Sequence, residues 1–135
     1  DQLDRFIVYE LGYKHYGRYV DDFYIVVSEE QLARIKKDLK VIEEFLRLKQ
    51  LTLHPKKRMM RKIEQGVPFL GAVVYPNHIV PGKRITRNTR IACEEVMEGV
   101  RGEESVVSYL GHAKYFNSVR MLKRNFYRVG WEYNV

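Results

Sequence analysis

The sequence predicts an α+β fold: antiparallel β-hairpins packed on helices, followed by three consecutive helices. Three observations carry that prediction. Short β-branched and aromatic runs flank turn residues in the first part of the chain, as in "HYGRYVDDFYIVV" at 15–27. A long amphipathic segment follows, with Leu32, Ile35, Leu39, Ile42 and Leu46 on one helical stripe. Beyond Pro81-Gly82 the apolar spacing turns helical and stays so. That switch is the candidate domain boundary, giving 1–82 and 83–135.

Taken in order, residues 1 to 11 place Leu3, Phe6, Ile7 and Leu11 on a helical face, with Gly12 as the stop. Residues 15 to 27 read as two strands around a tight turn. The run Phe23 to Val27 is β-branched and aromatic throughout, which predicts a strand buried on both faces. Ser28 and Gln31 match a capping box, opening a helix that should reach about Gln50 and pack on a sheet. "LTLHP" (51–55) reads as a short strand stopped by Pro55. "KKRMMRKI" and "FLGAVVYP" flank "EQGV", predicting a hairpin that turns at Gly66, and "NHIVPGKRI" is a further extended piece. Helices are predicted over 86–100 (Ala92, Val96, Val100 inward), 104–116 (Val106, Leu110, Ala113, Phe116) and 118–133 (Val119, Leu122, Phe126, Val129).

The 135 residues suit one compact unit or two small ones, and 45% are apolar, enough for a core. The net charge of +7 and pI near 9.5 favour an anionic partner. A single cysteine, Cys93, excludes an internal disulfide framework and a multi-cysteine zinc site, and suits a reducing compartment. No apolar run approaches the length of a membrane span. His54 and His112 lack partners at ligand spacing. The chain opens on Asp1 in helical pattern with no lead-in, which predicts a piece of a longer protein.

Asp21 and Asp22 reverse the local field of a basic chain. Adjacent acids at a turn are commonly just solvated, since aspartate accepts turn geometry. Here the flanks are apolar and aromatic, which sets the pair at the end of a sheet. A divalent ion explains the reversal: Mg²⁺ takes hard oxygen ligands, often one or two carboxylates, with phosphate and water completing its shell. Phosphate-transfer sites often hold two such ions roughly 3.5–4 Å apart. Side chains of adjacent hairpin residues diverge, so one acid would be the main ligand and the other a supporting one.

"RYVDDF" (18–23) resembles the Tyr-x-Asp-Asp motif of reverse transcriptases, the third motif of the polymerase palm. "LTLHPKK" (51–57) resembles the fourth motif and "FLGAVVYP" (69–76) the fifth, the primer grip; the order and spacing also fit. "HYGRYVDDFYIV", "LHPKK" and "FLGAV" are most similar to enzymes of bacterial retroelements, above all diversity-generating retroelements, then group II introns and retrons. The resemblance covers nearly the whole chain. It implies the C-terminal part of a palm over 1–82 and a three-helix thumb over 83–135.

The resemblance further implies an RNA-directed DNA polymerase that extends a primer 3′-hydroxyl on an RNA template, using deoxynucleoside triphosphates and two Mg²⁺ ions, for which Mn²⁺ would substitute. Asp21 becomes the principal metal ligand with Asp22 beside it. Tyr19 lies near the primer end or incoming nucleotide, unless it is a core aromatic. Lys56 and Lys57 sit near the triphosphate, Lys57 fitting better as proton donor to the departing pyrophosphate; a solvated basic run is the plain alternative. Phe69, Leu70 and Gly71 form the primer grip, unless Gly71 is an ordinary kink.

On the last helix Arg120, Arg124 and Arg128 recur every four residues with Lys123 adjacent, a row suited to duplex phosphates. The family's first carboxylate motif would lie upstream, so these residues alone are expected to extend no primer. A cytoplasmic, bacterial or phage-encoded enzyme with an accessory protein of its retroelement is implied, and no membrane. The alternatives are a non-catalytic nucleic-acid-binding module on the same fold, and an RNA replicase.

Overall fold

The computed structural model describes residues 1–128, with side chains through Asn125. The fold is α+β: five α-helices and two small antiparallel sheets, of two and three strands, among the described residues. The chain divides into two compact units, Asp1–Met59 and Met60–Val135. Pro81-Gly82 lies inside the second unit, where a strand runs directly into a helix.

The first unit opens with α1 (Gln2–Arg5), capped by the Asp1 carboxylate accepting from the Leu3 N–H at 2.8 Å. The helix continues as a π-helical stretch over Phe6–Glu10. The amphipathic stripe foretold one helix and gave no sign of this widening. Gly12, at φ 74°, ends it. Strands β1 (Tyr16–Tyr19) and β2 (Asp22–Ile25) pair with Tyr16 opposite Ile25 and Tyr19 opposite Asp22.

Phe23, Ile25 and Val27 pack inward, while Tyr24 and Val26 are 44% and 46% exposed. The expected double-sided burial of this strand is therefore corrected. A two-stranded ribbon with one packed face buries only alternate residues, whatever the composition of the others.

Ser28 and Gln31 form the expected capping box over a 3₁₀ turn, Glu29–Gln31, that feeds α2 (Leu32–Leu48). Ile35, Ile42 and Leu46 of the predicted stripe are buried, and they join Ile7 and Tyr13 in the core. Leu39 packs at its margin, and the rings of Phe6 and Phe45 stack at 4.2 Å. The strand expected at 51–55 is absent. Residues 51–54 are irregular and 55–57 form a turn. Leu51 N–H bonds back to the Leu46 carbonyl, and the His54 imidazole accepts from the Lys56 N–H at 3.2 Å, so local bonds replace a ladder.

Tyr13 ties the core to α2 by donating its hydroxyl to Asp38 at 2.7 Å. Burial, then that bond, push its phenol from 10.0 up to about 12. The folded state therefore holds the proton more tightly than the unfolded chain. Stability from this group is whole below about pH 10 and is lost as pH rises through about 12. Tyr13→Phe is expected to flatten the fall in unfolding free energy across that window, read by denaturant titration at stepped pH.

In the second unit a 3₁₀ turn (Ile63–Gln65) precedes a meander of β3 (Val67–Phe69), β4 (Ala72–Val74) and β5 (Ile79–Pro81). The hairpin expected around Gly66 turns instead at Leu70-Gly71, with Phe69 opposite Ala72. Gly66 ends the 3₁₀ turn at φ 77°, and a Cβ there would lie 2.6 Å from the Tyr75 ring. The segment 58–63 is not a strand. Its arginines are engaged elsewhere: Arg58, still in the first unit, pairs with Glu43 of α2, and Arg61 donates to the Gly66 carbonyl at 2.9 Å.

Helices α3 (Lys83–Met97), α4 (Glu104–Ala113) and α5 (Val119–Arg128) follow. Ala92, Cys93, Val106, Ala113 and Leu122 form the core of this unit. Val100 and Val119, expected inward, are 72% and 50% exposed. α3 ends at Met97, and Gly99, φ 70°, sits in the turn before Val100 is reached, while Val119 is the first residue of α5. Phe126 has no described side chain, and Val129 lies outside the described residues.

Gly82 caps α3, and its N–H donates to the Gly71 carbonyl at 2.8 Å. A Cβ on Gly82 would stand 2.4 Å from that oxygen, a backbone clash. Gly82→Ala is expected to destabilise this unit by about 2 kcal/mol. Gly111→Ala, in α4 with nothing near its Cβ, should instead stabilise by about 0.5–1 kcal/mol. Thermal unfolding of the two variants checks the opposite signs.

Candidate metal and nucleic-acid site

The loop between β1 and β2 has two residues, Val20 and Asp21. Val20 sits at φ 53°, and Asp21 has negative φ, the φ signs of a type II′ turn. Glycine is the usual occupant of the first position. A β-branched residue held there costs on the order of 1–3 kcal/mol, and such strain clusters at functional sites. Asp21 thus lies in the turn itself, and Asp22 opens β2 opposite Tyr19. Both acids are exposed, and neither has a hydrogen-bond or ion-pair partner among the described residues.

Tyr19 is 62% exposed, so the core-aromatic reading of this residue is set aside. The core aromatics of the hairpin are Tyr16 and Phe23, 6.1 Å apart. Tyr19, Asp22 and Tyr24 share the open face by strand alternation. Gly17 is needed beneath Tyr24, because a Cβ there would meet the Tyr24 ring at 2.6 Å.

Arg18 carries no pattern signal of its own in the sequence. Its guanidinium donates through Nε to Asp4 Oδ1 at 2.8 Å and through Nη2 to Asp1 Oδ2 at 2.8 Å. Nη1 donates to the Val20 carbonyl at 2.9 Å. Tyr16 also donates to Asp4, at 2.7 Å. Arg18 first, then Tyr16, hold the Asp4 carboxyl far below the usual range, while burial and the Asp4 bond push the Tyr16 phenol up. The Arg18 charge is therefore engaged by carboxylates of α1 and its cap. A basic residue next to the motif and two acids fourteen and seventeen positions earlier offered no periodic signal.

Asp21 in the turn and Asp22 at the start of β2 are hard oxygen donors, the ligand type that a divalent cation takes together with phosphate oxygens and water. No group of three His, Cys, Asp or Glu side chains placed to hold a metal occurs among the described residues. Lys56 and Lys57 are exposed on the turn that His54 organises, in the same unit as the acids.

In the second unit Phe69 is half-buried, and Leu70 and Gly71 make a loop with both residues left-handed, φ 50° and 81°, as in a type I′ turn. Leu70, like Val20, occupies a position that favours Gly or Asn. Leu70 and Gly71 line an open cleft of about 750 Å³ with Arg84 and Asn88 of α3 and Tyr109 and His112 of α4.

Arg120, Lys123 and Arg124 are exposed on α5. Arg124 borders a second groove, of about 350 Å³, together with Lys83, Arg87 and Arg90 of α3. Arg90 is occupied by Glu94 at 2.6 Å. Lys83 and Arg87 were legible only once the helix was known to start at Lys83, which puts them one turn apart. The Arg128 side chain falls outside the described ones. No helix among the described residues is long and apolar enough to cross a membrane. No protein-family model matches the chain, and no curated protein is significantly similar to it.

Proposed function

We propose that the chain is the C-terminal palm portion and thumb of a bacterial or phage-encoded, cytoplasmic RNA-directed DNA polymerase of retroelement type. The observation that carries this reading is the pair of unpartnered carboxylates on a strained two-residue hairpin tip, in a chain of net charge +7. A scaffold hairpin has no need of such a tip, where glycine at the first loop position would serve without strain.

A bound Mg²⁺ would neutralise the phosphates and favour the ionised primer 3′-hydroxyl. In this reading Asp21 and Asp22 would supply carboxylate oxygens to the ion. Tyr19 presents its ring beside them to the primer end. Lys57, or Lys56, gives a proton to the departing pyrophosphate. Phe69, Leu70 and Gly71 bring backbone close to the primer strand. Arg120, Lys123, Arg124 and Arg128 hold the template–primer duplex through its phosphates, independent of sequence. The strained Leu70-Gly71 turn and the basic groove between α3 and α5 support these last two assignments.

The test is RNA-templated primer extension with deoxynucleoside triphosphates, by a polypeptide joining this chain to a preceding palm carboxylate motif. Synthesis is expected with Mg²⁺ or Mn²⁺ and none with a chelator. Duplex binding without synthesis would favour the non-catalytic module, and synthesis of RNA from ribonucleotides would favour a replicase. Residues 1–135 alone are expected to bind duplex and extend nothing.

A further inference from the structure

We infer that Arg18 is a positioning residue for the acid pair, holding the Val20–Asp21 peptide in the orientation that presents both carboxylates. This rests on the metal-binding reading of Asp21 and Asp22. The register puts Arg18 opposite Phe23, so its side chain leaves the packed face of the ribbon, beneath the tip. There Asp4 takes Nε and Nη2 as a fork, at 2.8 and 3.1 Å, and Asp1 takes Nη2. The planar guanidinium is then fixed in both position and plane. Its remaining arm, Nη1, meets the Val20 carbonyl at 2.9 Å. That carbonyl belongs to the peptide bond leading into Asp21.

Val20 at φ 53° disfavours the turn, and the carbonyl bond from a pre-seated donor offsets that strain. The two carboxylates beneath absorb the positive charge of Arg18, so the brace does not compete with a cation above the tip. A lysine would keep the charge but cannot span Asp4 and the Val20 carbonyl with a rigid fork.

The test is Mn²⁺ titration of the chain, read as paramagnetic broadening of the backbone amides of residues 19–23, with a dissociation constant fitted from the titration. Four proteins are compared: the unaltered chain, Arg18→Lys, Val20→Gly, and the double variant. Arg18→Lys is expected to weaken Mn²⁺ binding about tenfold. Glycine adopts the turn without strain, so Arg18→Lys added to Val20→Gly should cost threefold or less. A merely stabilising ion pair would show no such coupling. Binding by the unaltered chain that Arg18→Lys changes by less than twofold, or equal losses in both backgrounds, overturns the Arg18 assignment while leaving the acid pair as a cation site. Absence of localised broadening in the unaltered chain overturns the reading of the acid pair and this inference with it.

Discussion

Asp21→Asn is expected to lower Mg²⁺-dependent nucleotide incorporation by about 10³-fold or more, in a polypeptide that joins this chain to a palm carboxylate motif, if the proposed function holds. The substitution keeps shape and removes one negative charge. A metal-coordinated phosphoryl transfer depends on its carboxylate ligands for several kcal/mol of transition-state stabilisation, and about 4 kcal/mol corresponds to that factor. Asp21 has no partner among the described residues, so folding should be nearly indifferent to the change. The diagnostic result is the dissociation of the two readouts: activity falls by orders of magnitude, while the unfolding free energy changes by no more than about 0.5 kcal/mol. Duplex affinity, which the proposed function assigns to Arg120, Lys123 and Arg124, should persist.

Ile42→Ala is expected to be the most damaging single change to the first unit. Ile42 is fully buried in the cluster of Ile7, Tyr13, Ile35 and Leu46. Truncation loses transfer free energy and leaves a cavity, about 3–4 kcal/mol together. A unit of Asp1–Met59 has only a few kcal/mol of stability to lose. Loss of cooperative unfolding in urea, followed by far-UV circular dichroism, is the expected result. Leu48→Ala on the same helix, at a site 71% exposed, should change stability by less than about 0.5 kcal/mol. A cost below 1 kcal/mol for Ile42→Ala would contradict the assignment of the core.

The elements most legible in the sequence were those fixed by local physics. The α2 stripe and the Ser28–Gln31 capping box were readable because helical period and capping are short-range properties. The acid pair was placed at a hairpin tip for the same reason, through the strand signals on both sides. What failed depended on neighbours. Phe23 to Val27 look doubly buried by composition, yet the ribbon has only one packed face. "LTLHP" has strand composition, but a strand needs a partner, and its hydrogen bonds are local instead: Leu51 N–H donates to the Leu46 carbonyl at the end of α2, and His54 accepts from the N–H groups of Lys56 and Lys57. Gly66 and Gly71 both permit turns, and composition alone could not say which one the chain uses.

At the candidate site the carboxylates and Tyr19 were legible as a motif, and their support was not. Arg18 acts across a separation of fourteen residues to Asp4, and its contact with the Val20 carbonyl involves backbone, which leaves no mark in residue identity. The strain at Val20 and Leu70 is likewise a property of φ. Apolar residues at both first loop positions, where Gly or Asn is usual, were the one sign of it available beforehand.

The central claim is that Asp21 and Asp22 hold a divalent cation. Localised cleavage tests it most directly: Fe²⁺ replaces Mg²⁺, and ascorbate with peroxide generates hydroxyl radicals at the bound ion. Backbone breaks confined to a few residues around Asp21, suppressed by excess Mg²⁺ and missing from the Asp21→Asn, Asp22→Asn double variant, are the predicted result. Breaks elsewhere only, or a pattern unchanged in the double variant, would contradict the account.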